Sequence, residues 1–510
     1  MRVQADPAGS EPPVHPPQAE PPRRRPRIPD ALRSAPVLVL AALMGAYMVT
    51  FGFLTWRQQR DFGTFGFDMG IYDQGIWLLS QGRSPFVTVR GLQFFGHHVN
   101  LIVLLLAPFY RLGAGPTFLY LVETAWLAAG AVPLWLLARD KLASPWAATA
   151  LGGAYLLHPT IQWINWWHFH PDAFMITPLL FAVWLAERRR WGWFAVAVGV
   201  TLLCKEDAGL AIFGLGAMLA VRRQWRVGLV TALVGVGWFA LAAEVIIPHA
   251  NGGAGPLYAS LFPGFGSSVS EVAVNMLRHP GQVLHELALP ERRKYYLDLL
   301  LPAGLVAFAS PSALLIGLPQ VFINSLSGHV YTYNAHYYYS SVVVASIFVA
   351  TVDGCARLRR TRLPKFVPVA IVAVAALVAN VVMSPSPLSE KNFHSGIWAT
   401  DNPRQERLRE AVAMIPPDAA VSATYYLVPH LTHRAKIYEY PNPWRVANWG
   451  VAGERPHDPR VVDYIVVDWY LLGQDATLMS QLIGPGGGFK VRYSQDGIVV
   501  AVRDRGGQSP

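Results

Sequence analysis

The strongest constraint on this chain is a series of apolar stretches that recurs from Ala35 to Met383 with only short polar breaks, whereas Ser384 to Pro510 contains none. A helix needs about 20 mostly apolar residues to cross roughly 30 Å of hydrocarbon, where every peptide group has to be bonded within the protein. The stretches therefore predict a polytopic α-helical membrane protein with about 11 transmembrane helices over residues 35–383. Composition agrees, with 53% of the 510 residues hydrophobic and 15% charged, the balance of a bilayer protein and not of a string of soluble domains.

A net charge of +10 would suit nucleic acid, but the arginines fall mainly in short clusters between apolar stretches. That is the positive-inside pattern, and no nucleic-acid partner is expected. Residues 1–34, rich in Pro and Arg, cannot bury a core and read as a disordered cytoplasmic tail. Val37 to Trp56 lacks a small-residue cleavage pattern and reads as a retained first span. With that span running outward, Arg139 and Lys141, Arg188 to Arg190, Arg222 and Arg223, and Arg357 to Arg362 all fall inside. The outer loops are then 57–116, 159–172 and 248–295, and the expected location is the plasma membrane, multi-pass, with the N-terminus cytoplasmic. Within this scheme 296–308 and 312–326 each read as one span, and 97–113 as a re-entrant or interfacial helix. Cys204 and Cys355 supply no disulfide framework.

Residues 384–510 read as a small soluble α/β domain on the outer face. Asp401-Asn402-Pro403 starts a helix with Leu408, Ala411, Val412 and Ile415 on one face. Strands are expected over 420–423, 436–440 and 464–468, and a hairpin over 489–502 turning at Asp496-Gly497. The segment carries no nucleophile elbow, phosphate loop or metal motif, so its expected role is to pack on the membrane domain or orient a substrate.

Three polar strings converge on the outer side. The first runs Phe67-Asp68-Met69-Gly70-Ile71-Tyr72-Asp73-Gln74-Gly75-Ile76-Trp77. Asp68 precedes an expected helix and Asp73 lies within it, about 140° further round, so the two do not share a face. Asp68 reads either as an N-cap worth about 1 kcal/mol, or as a general base whose pKa is raised at a dry membrane interface. The second string is Asn165-Trp166-Trp167-His168-Phe169-His170-Pro171-Asp172. In an extended loop His168, His170 and Asp172 point one way, which suits a divalent metal or a polar substrate. Tryptophan also crowds membrane interfaces for reasons unrelated to chemistry. The third, Lys205-Glu206-Asp207, ends a short helical hairpin, where three adjacent charges are costly unless paired or facing a cavity. Lys205 suits a phosphate, with the acids holding it or a metal; the alternative is a solvated turn with one ion pair. His97, His98, His329 and His336 lie on the same side, and Glu123 sits inside a span, where it must be protonated, paired or facing a cavity.

As a set, Phe67 to Gln74, His97-His98, His168 to Asp172 and Lys205-Glu206-Asp207 resemble the DUF2079 family of predicted bacterial membrane proteins. The resemblance runs from about Phe51 to Asp504 and includes Pro429-His430-Leu431 and Tyr464-Ile465-Val466-Val467-Asp468. That family is similar to the GT-C glycosyltransferases, multi-spanning enzymes that use polyprenyl-phosphate-linked sugars and carry an acidic residue in the first outer loop. The resemblance implies a GT-C-like domain over 35–383, with Asp68 at the acidic position and Asp73 second. The expected activity is inverting transfer of a sugar from a polyprenyl phosphate to a glycan, lipid or protein acceptor at the outer face. Asp68 would take the acceptor proton, and Lys205, Glu206, Asp207, Arg83, Arg90, His97, His98, Gln74 and Trp77 would bind substrate. A divalent metal at His168, His170 and Asp172 is the one cofactor considered. The rivals are a lipid or small-solute transporter or flippase lined by Glu123 and Lys205, although no internal repeat is seen, and a non-enzymatic membrane scaffold.

Overall fold

A computed structural model describes residues 34–255, 260–394, 396–447 and 453–505. The expected tail, apart from Ser34, lies outside the described residues. The described chain is mostly helical, and four helices are long and apolar enough to cross a membrane: Ala35–Arg60, Pro116–Leu142, Trp225–Ala250 and Tyr338–Leu358. Trp191–Leu202, Ala208–Val221 and Val367–Met383 are shorter apolar helices.

Helix α1 (Ala35–Arg60) carries proline in its first turn, where a missing N–H costs nothing. It is followed by α2 (Ile71–Ser80), a short ribbon of β1 (Phe86–Val87) and β2 (Leu92–Gln93), α3 (Pro116–Ala129) and α4 (Ala131–Leu142). Ser144 caps α5 (Pro145–Leu157), its side chain accepting the Ala147 N–H, and Pro145 occupies the first helical position. Next come α6 (Pro159–Trp166), α7 (Ile176–Glu187), α8 (Trp191–Leu202), α9 (Ala208–Val221) and α10 (Trp225–Leu241). Glycines let α9 and α10 touch backbone to backbone: a Cβ on Gly216 would lie 2.5 Å from the Gly228 carbonyl, and one on Gly209 2.4 Å from that of Gly235. This close pairing fixes the direction in which the turn before α9, Lys205-Glu206-Asp207, is presented.

The remaining helices of this part are α11 (Val269–Arg278), α12 (Pro280–Leu287), α13 (Pro290–Leu300), α14 (Leu318–Leu326), α15 (Ser341–Leu358) and α16 (Val367–Met383). Four expectations are corrected here. Residues 159–166 are helix and not loop. Residues 296–308 do not form one span, because α13 gives way to short 3₁₀ turns around Gly304 and Leu305, at φ 64° and 58°. Residues 312–326 are interrupted between the turn Pro311–Leu314 and α14. Residues 97–113 hold only the short pieces Leu101–Leu105 and Ala107–Tyr110, the second with a proline in its first turn, so no continuous helix forms.

Beyond α16, α17 (Gln405–Ala413) and α18 (Ala476–Ile483) flank a five-stranded mixed sheet ordered β4-β3-β5-β7-β6. Its strands are β3 (Val421–Ala423), β4 (Ile437–Glu439), β5 (Tyr464–Asp468), β6 (Phe489–Gln495) and β7 (Ile498–Arg503). β3 runs parallel to β4 and β5, and β7 runs antiparallel to β5 and β6. Strand alternation assigns the two faces. Ile465 and Val467 of β5 pack with Met479 of α18, whereas Tyr464 and Val466 join Leu408, Ala411 and Val428 in the core that continues into the helical bundle. The sheet is thus covered on both faces, by α18 on one and on the other by α17, whose core runs on into the helical bundle.

Candidate functional site

Asp68 sits in a tight π-helical turn, Gly66–Gly70, ahead of α2. Two contacts hold that turn against the sheet unit. The Gly66 N–H donates to the Tyr425 carbonyl at 2.8 Å, and both of its glycines press on Val428. A Cβ on Gly66 would lie 2.8 Å from the Val428 Cβ, and one on Gly70 3.0 Å from its Cγ1. Asp68 caps no helix, since the residue ahead of α2 is Gly70 and no side chain caps it. Its carboxylate instead faces His170, with Nε2 3.6 Å from Oδ1.

His170 stacks on Tyr338 with ring centroids 3.5 Å apart, and the Lys205 ammonium lies 5.9 Å and 5.6 Å from the Tyr338 and Tyr339 rings. Lys205 bonds Asp172 at 2.8 Å and approaches Asp207 at 3.6 Å. Glu206 accepts from the Val99 N–H at 2.9 Å and pairs with His98 Nδ1 at 2.7 Å. The broken 97–113 segment is pinned to the same turn: the Asn100 amide donates to the Cys204 carbonyl at 2.7 Å and the Ile102 N–H to that of Leu203 at 2.8 Å.

These groups form one end of a cavity of about 470 Å³. Arg90, His97, His98, Lys205 and Asp207 make its polar wall, and Phe67, next to Asp68, belongs to the same lining. The rest of the lining combines apolar Phe239 at the end of α10, Val272 and Met276 of α11, and Phe322 and Ile323 of α14 with the polar Gln320, Asn324, Ser327 and Thr332. A site this size with both charged and apolar lining suits an amphiphilic ligand.

Burial alone would raise the Asp68 carboxyl, but the imidazoles of His170 and His168 more than reverse it and hold Asp68 below its usual range. The expected upward shift is therefore corrected to a downward one, and Asp68 is ionised through neutral pH. Burial lowers His168 to about 4 and takes His97 well below its ordinary value, so both are neutral. Burial also pulls on the Lys205 ammonium, but Asp172, Asp207 and Glu206 outweigh it and Lys205 keeps its proton. Asp207 is raised, by burial first and then by Asp172 and Glu206, against the pull of Lys205.

The structure separates several residues that the sequence groups. Asp73 is fully buried and ties α2 to the sheet unit: it accepts from Tyr110 at 2.6 Å and from Thr432, and lies 3.2 Å from His433. Gln74 donates to Thr88 at 2.9 Å and to the Arg434 carbonyl at 3.3 Å, again a tie between loop and sheet unit. Trp77 stacks on His433 and has the Arg83 guanidinium 5.4 Å from its ring centroid, and neither Trp77 nor Arg83 lines the cavity. Arg90 does line it, ion-paired with Glu454.

The metal set is not assembled. His168 adopts φ 66°, which breaks the extended alternation the expectation required. Its Nδ1 meets the Tyr120 hydroxyl at 2.7 Å, while His170 turns to Asp68 and Asp172 to Lys205. Among the described residues no three His, Cys, Asp or Glu side chains gather around a common point. The residues present do not fit the ion. Glu123 of α3 is fully buried, with neither carboxylate oxygen hydrogen-bonded to a side chain.

Sequence reasoning missed the apolar wall. Residues 269–287 were assigned only to a loop, yet Val272, Met276, Val283 and Leu287 recur at helical spacing and signal two amphipathic helices.

No curated protein matches the chain. The sequence profile of predicted membrane protein family DUF2079 matches residues 60–500, which takes in α2, the three polar strings, the cavity and the five-stranded sheet up to the first half of β7, and the chain therefore belongs to the DUF2079 family of predicted membrane proteins.

Proposed function

We propose that the chain is a GT-C-like membrane glycosyltransferase that moves a sugar from a polyprenyl phosphate to an acceptor at the outer face. The observation that carries this reading is the cavity of about 470 Å³, which has the Arg90 and Lys205 side chains beside Phe67 and many apolar side chains in the rest of its lining. A polyprenyl phosphate, anionic at its head and apolar along its chain, complements both. The acceptor hydroxyl gives its proton to the Asp68 carboxylate as its oxygen bonds to the anomeric carbon. The bond from that carbon to the phosphate oxygen breaks, its electron pair leaves on the lipid phosphate, and the configuration inverts. Lys205 and Arg90 offset the charge that develops there.

The same reading includes about 11 membrane crossings, the Arg-rich helix ends in the cytoplasm and the sheet unit outside. Its support is that Arg139, Arg188, Arg222 and Arg357 all lie at the helix ends opposite the cavity.

The test is to purify the protein in detergent, supply a panel of polyprenyl-phosphate sugars and follow release of free lipid phosphate, with Asp68→Asn as control. Release by wild type alone supports the assignment. No release with any donor and acceptor, in folded protein, overturns it in favour of transport, the reading that a carboxyl as deeply buried as Glu123 favours.

A further inference from the structure

A row of partly exposed rings runs beside Asp68 and reaches the cavity lining at Tyr331. Tyr425 meets Phe65 edge-on with centroids 5.3 Å apart, Phe65 meets His168 at 4.8 Å, and His168 meets Trp167 at 6.2 Å. Trp167 stacks on Tyr337 at 4.6 Å, and Tyr331 closes the row edge-on to Tyr337 at 5.2 Å. The two ends stand well open, Tyr331 at 53% and Tyr425 at 39% exposure. Phe65, Trp167 and Tyr337 are half-buried, while only His168 is fully covered. Phe65 and Asp68 are neighbours in one turn of chain, and the Asp68 side chain is itself 32% exposed.

The chemistry of the row selects its occupant. A hydrocarbon chain laid along it would take water from the Asp68 carboxylate and return no hydrogen bond. An anionic headgroup would meet that carboxylate and none of the row's residues is a cation. A saccharide fits both features: the C–H face of a pyranose or furanose ring packs on an aromatic face, and its hydroxyls donate to a carboxylate. An unused donor is also present, because the Trp167 indole N–H is buried without a partner and remains for a sugar oxygen.

We propose that the row Tyr425, Phe65, Trp167, Tyr337 and Tyr331 is a carbohydrate-binding subsite, and that the acceptor of the transfer is an uncharged oligosaccharide laid across it with one hydroxyl at Asp68. The acceptor role rests on the transferase reading; the binding of carbohydrate does not. The row runs from Tyr425 past Asp68 to Tyr331, which also lines the cavity, so the acceptor seat adjoins the donor seat.

The full-length protein in lipid nanodiscs tests this by saturation-transfer NMR with neutral hexose and pentose tetra- to hexasaccharides as probes. Saturable transfer onto one face of the sugar rings is expected for at least one probe. Its affinity should fall about tenfold in Tyr337→Ala and in Tyr331→Ala, the size of one aromatic contact. Tyr331 is open enough that its removal leaves the fold intact, so its variant separates lost binding from lost structure. No saturable transfer with any probe overturns the subsite, and so does equal affinity in wild type and both variants. Because saccharide binding is read without any lipid donor, failure of lipid phosphate release when a bound saccharide is supplied as acceptor, with binding intact, sinks the transferase reading alone.

Discussion

The two ends of the helical bundle handle buried charge in opposite ways. At the Arg-rich end, Lys141 of α4 bonds Glu187 of α7 and Asp353 of α15, each at 2.8 Å, and Arg222 after α9 bonds Glu187 at 2.9 Å and also Asp353. Two cations face two carboxylates, and each carboxylate touches both. At the cavity end more atoms are left over: Asp172 Oδ2, Asp207 Oδ1, His168 Nε2 and His170 Nδ1 are buried without a hydrogen-bond partner, against Asp353 Oδ1 at the Arg-rich end, which keeps only its ion pair with Lys141. The first arrangement clamps helix ends together. The second leaves capacity for something that arrives later, which is how a site differs from a clasp.

The largest expected effect sharpens that contrast. Asp68→Asn should lower lipid phosphate release by about 10²- to 10⁴-fold, the usual worth of a positioned base, while the thermal midpoint stays at the wild-type value. A variant that melts early would show Asp68 to be structural after all. Lys205→Met should raise KM for the donor by about ten- to a hundredfold, since it removes a charge-assisted contact and leaves Asp172 with no cation; a change confined to kcat would contradict a binding role. At the other end, Asp353→Ala should cost about 2 kcal/mol, because it strands Lys141 and Arg222 with one carboxylate between them. Activity per folded molecule should not change, and an equal loss of activity would break the division between clasp and site.

The smallest effect concerns the tie between α2 and the sheet unit. Burial pulls His433 down, but Asp73 beside it more than reverses this and raises it above its usual value of 6.5. A raised folded-state value means that the stabilisation is complete below pH 6.5 and is lost as pH rises through that value. His433 is 40% exposed, so solvent screens the pair and His433→Gln should cost roughly 0.5 kcal/mol. Melting midpoints at acidic and alkaline pH should differ between variant and wild type only on the acidic side.

What the sequence made legible was local. The strand at 464–468 forms over those residues, and the hairpin turns where expected, with Asp496 and Gly497 at φ 50° and 75°, the left-handed pair that a two-residue turn demands. Helix Ala208–Val221 likewise matches its apolar run. The failures lie where distant chain decides. Nothing near Asp73 announces Thr432 and His433 as its partners, 359 and 360 positions on. The positive φ of His168 belongs to a residue type that tolerates it, but the alternation rule behind the metal expectation assumes extended backbone. Asp68 was legible as the acid of the first polar string; that imidazoles from the second string would overcome its burial was not, because that balance exists only after folding.

The turn that carries Asp68 leans on Tyr425 and Val428, which the ribosome adds some 360 residues later. Until those residues are made, the turn lacks its Gly66 to Tyr425 hydrogen bond and its packing on Val428, so on the proposed reading a translation product cut short before Tyr425 would carry Asp68 without that support.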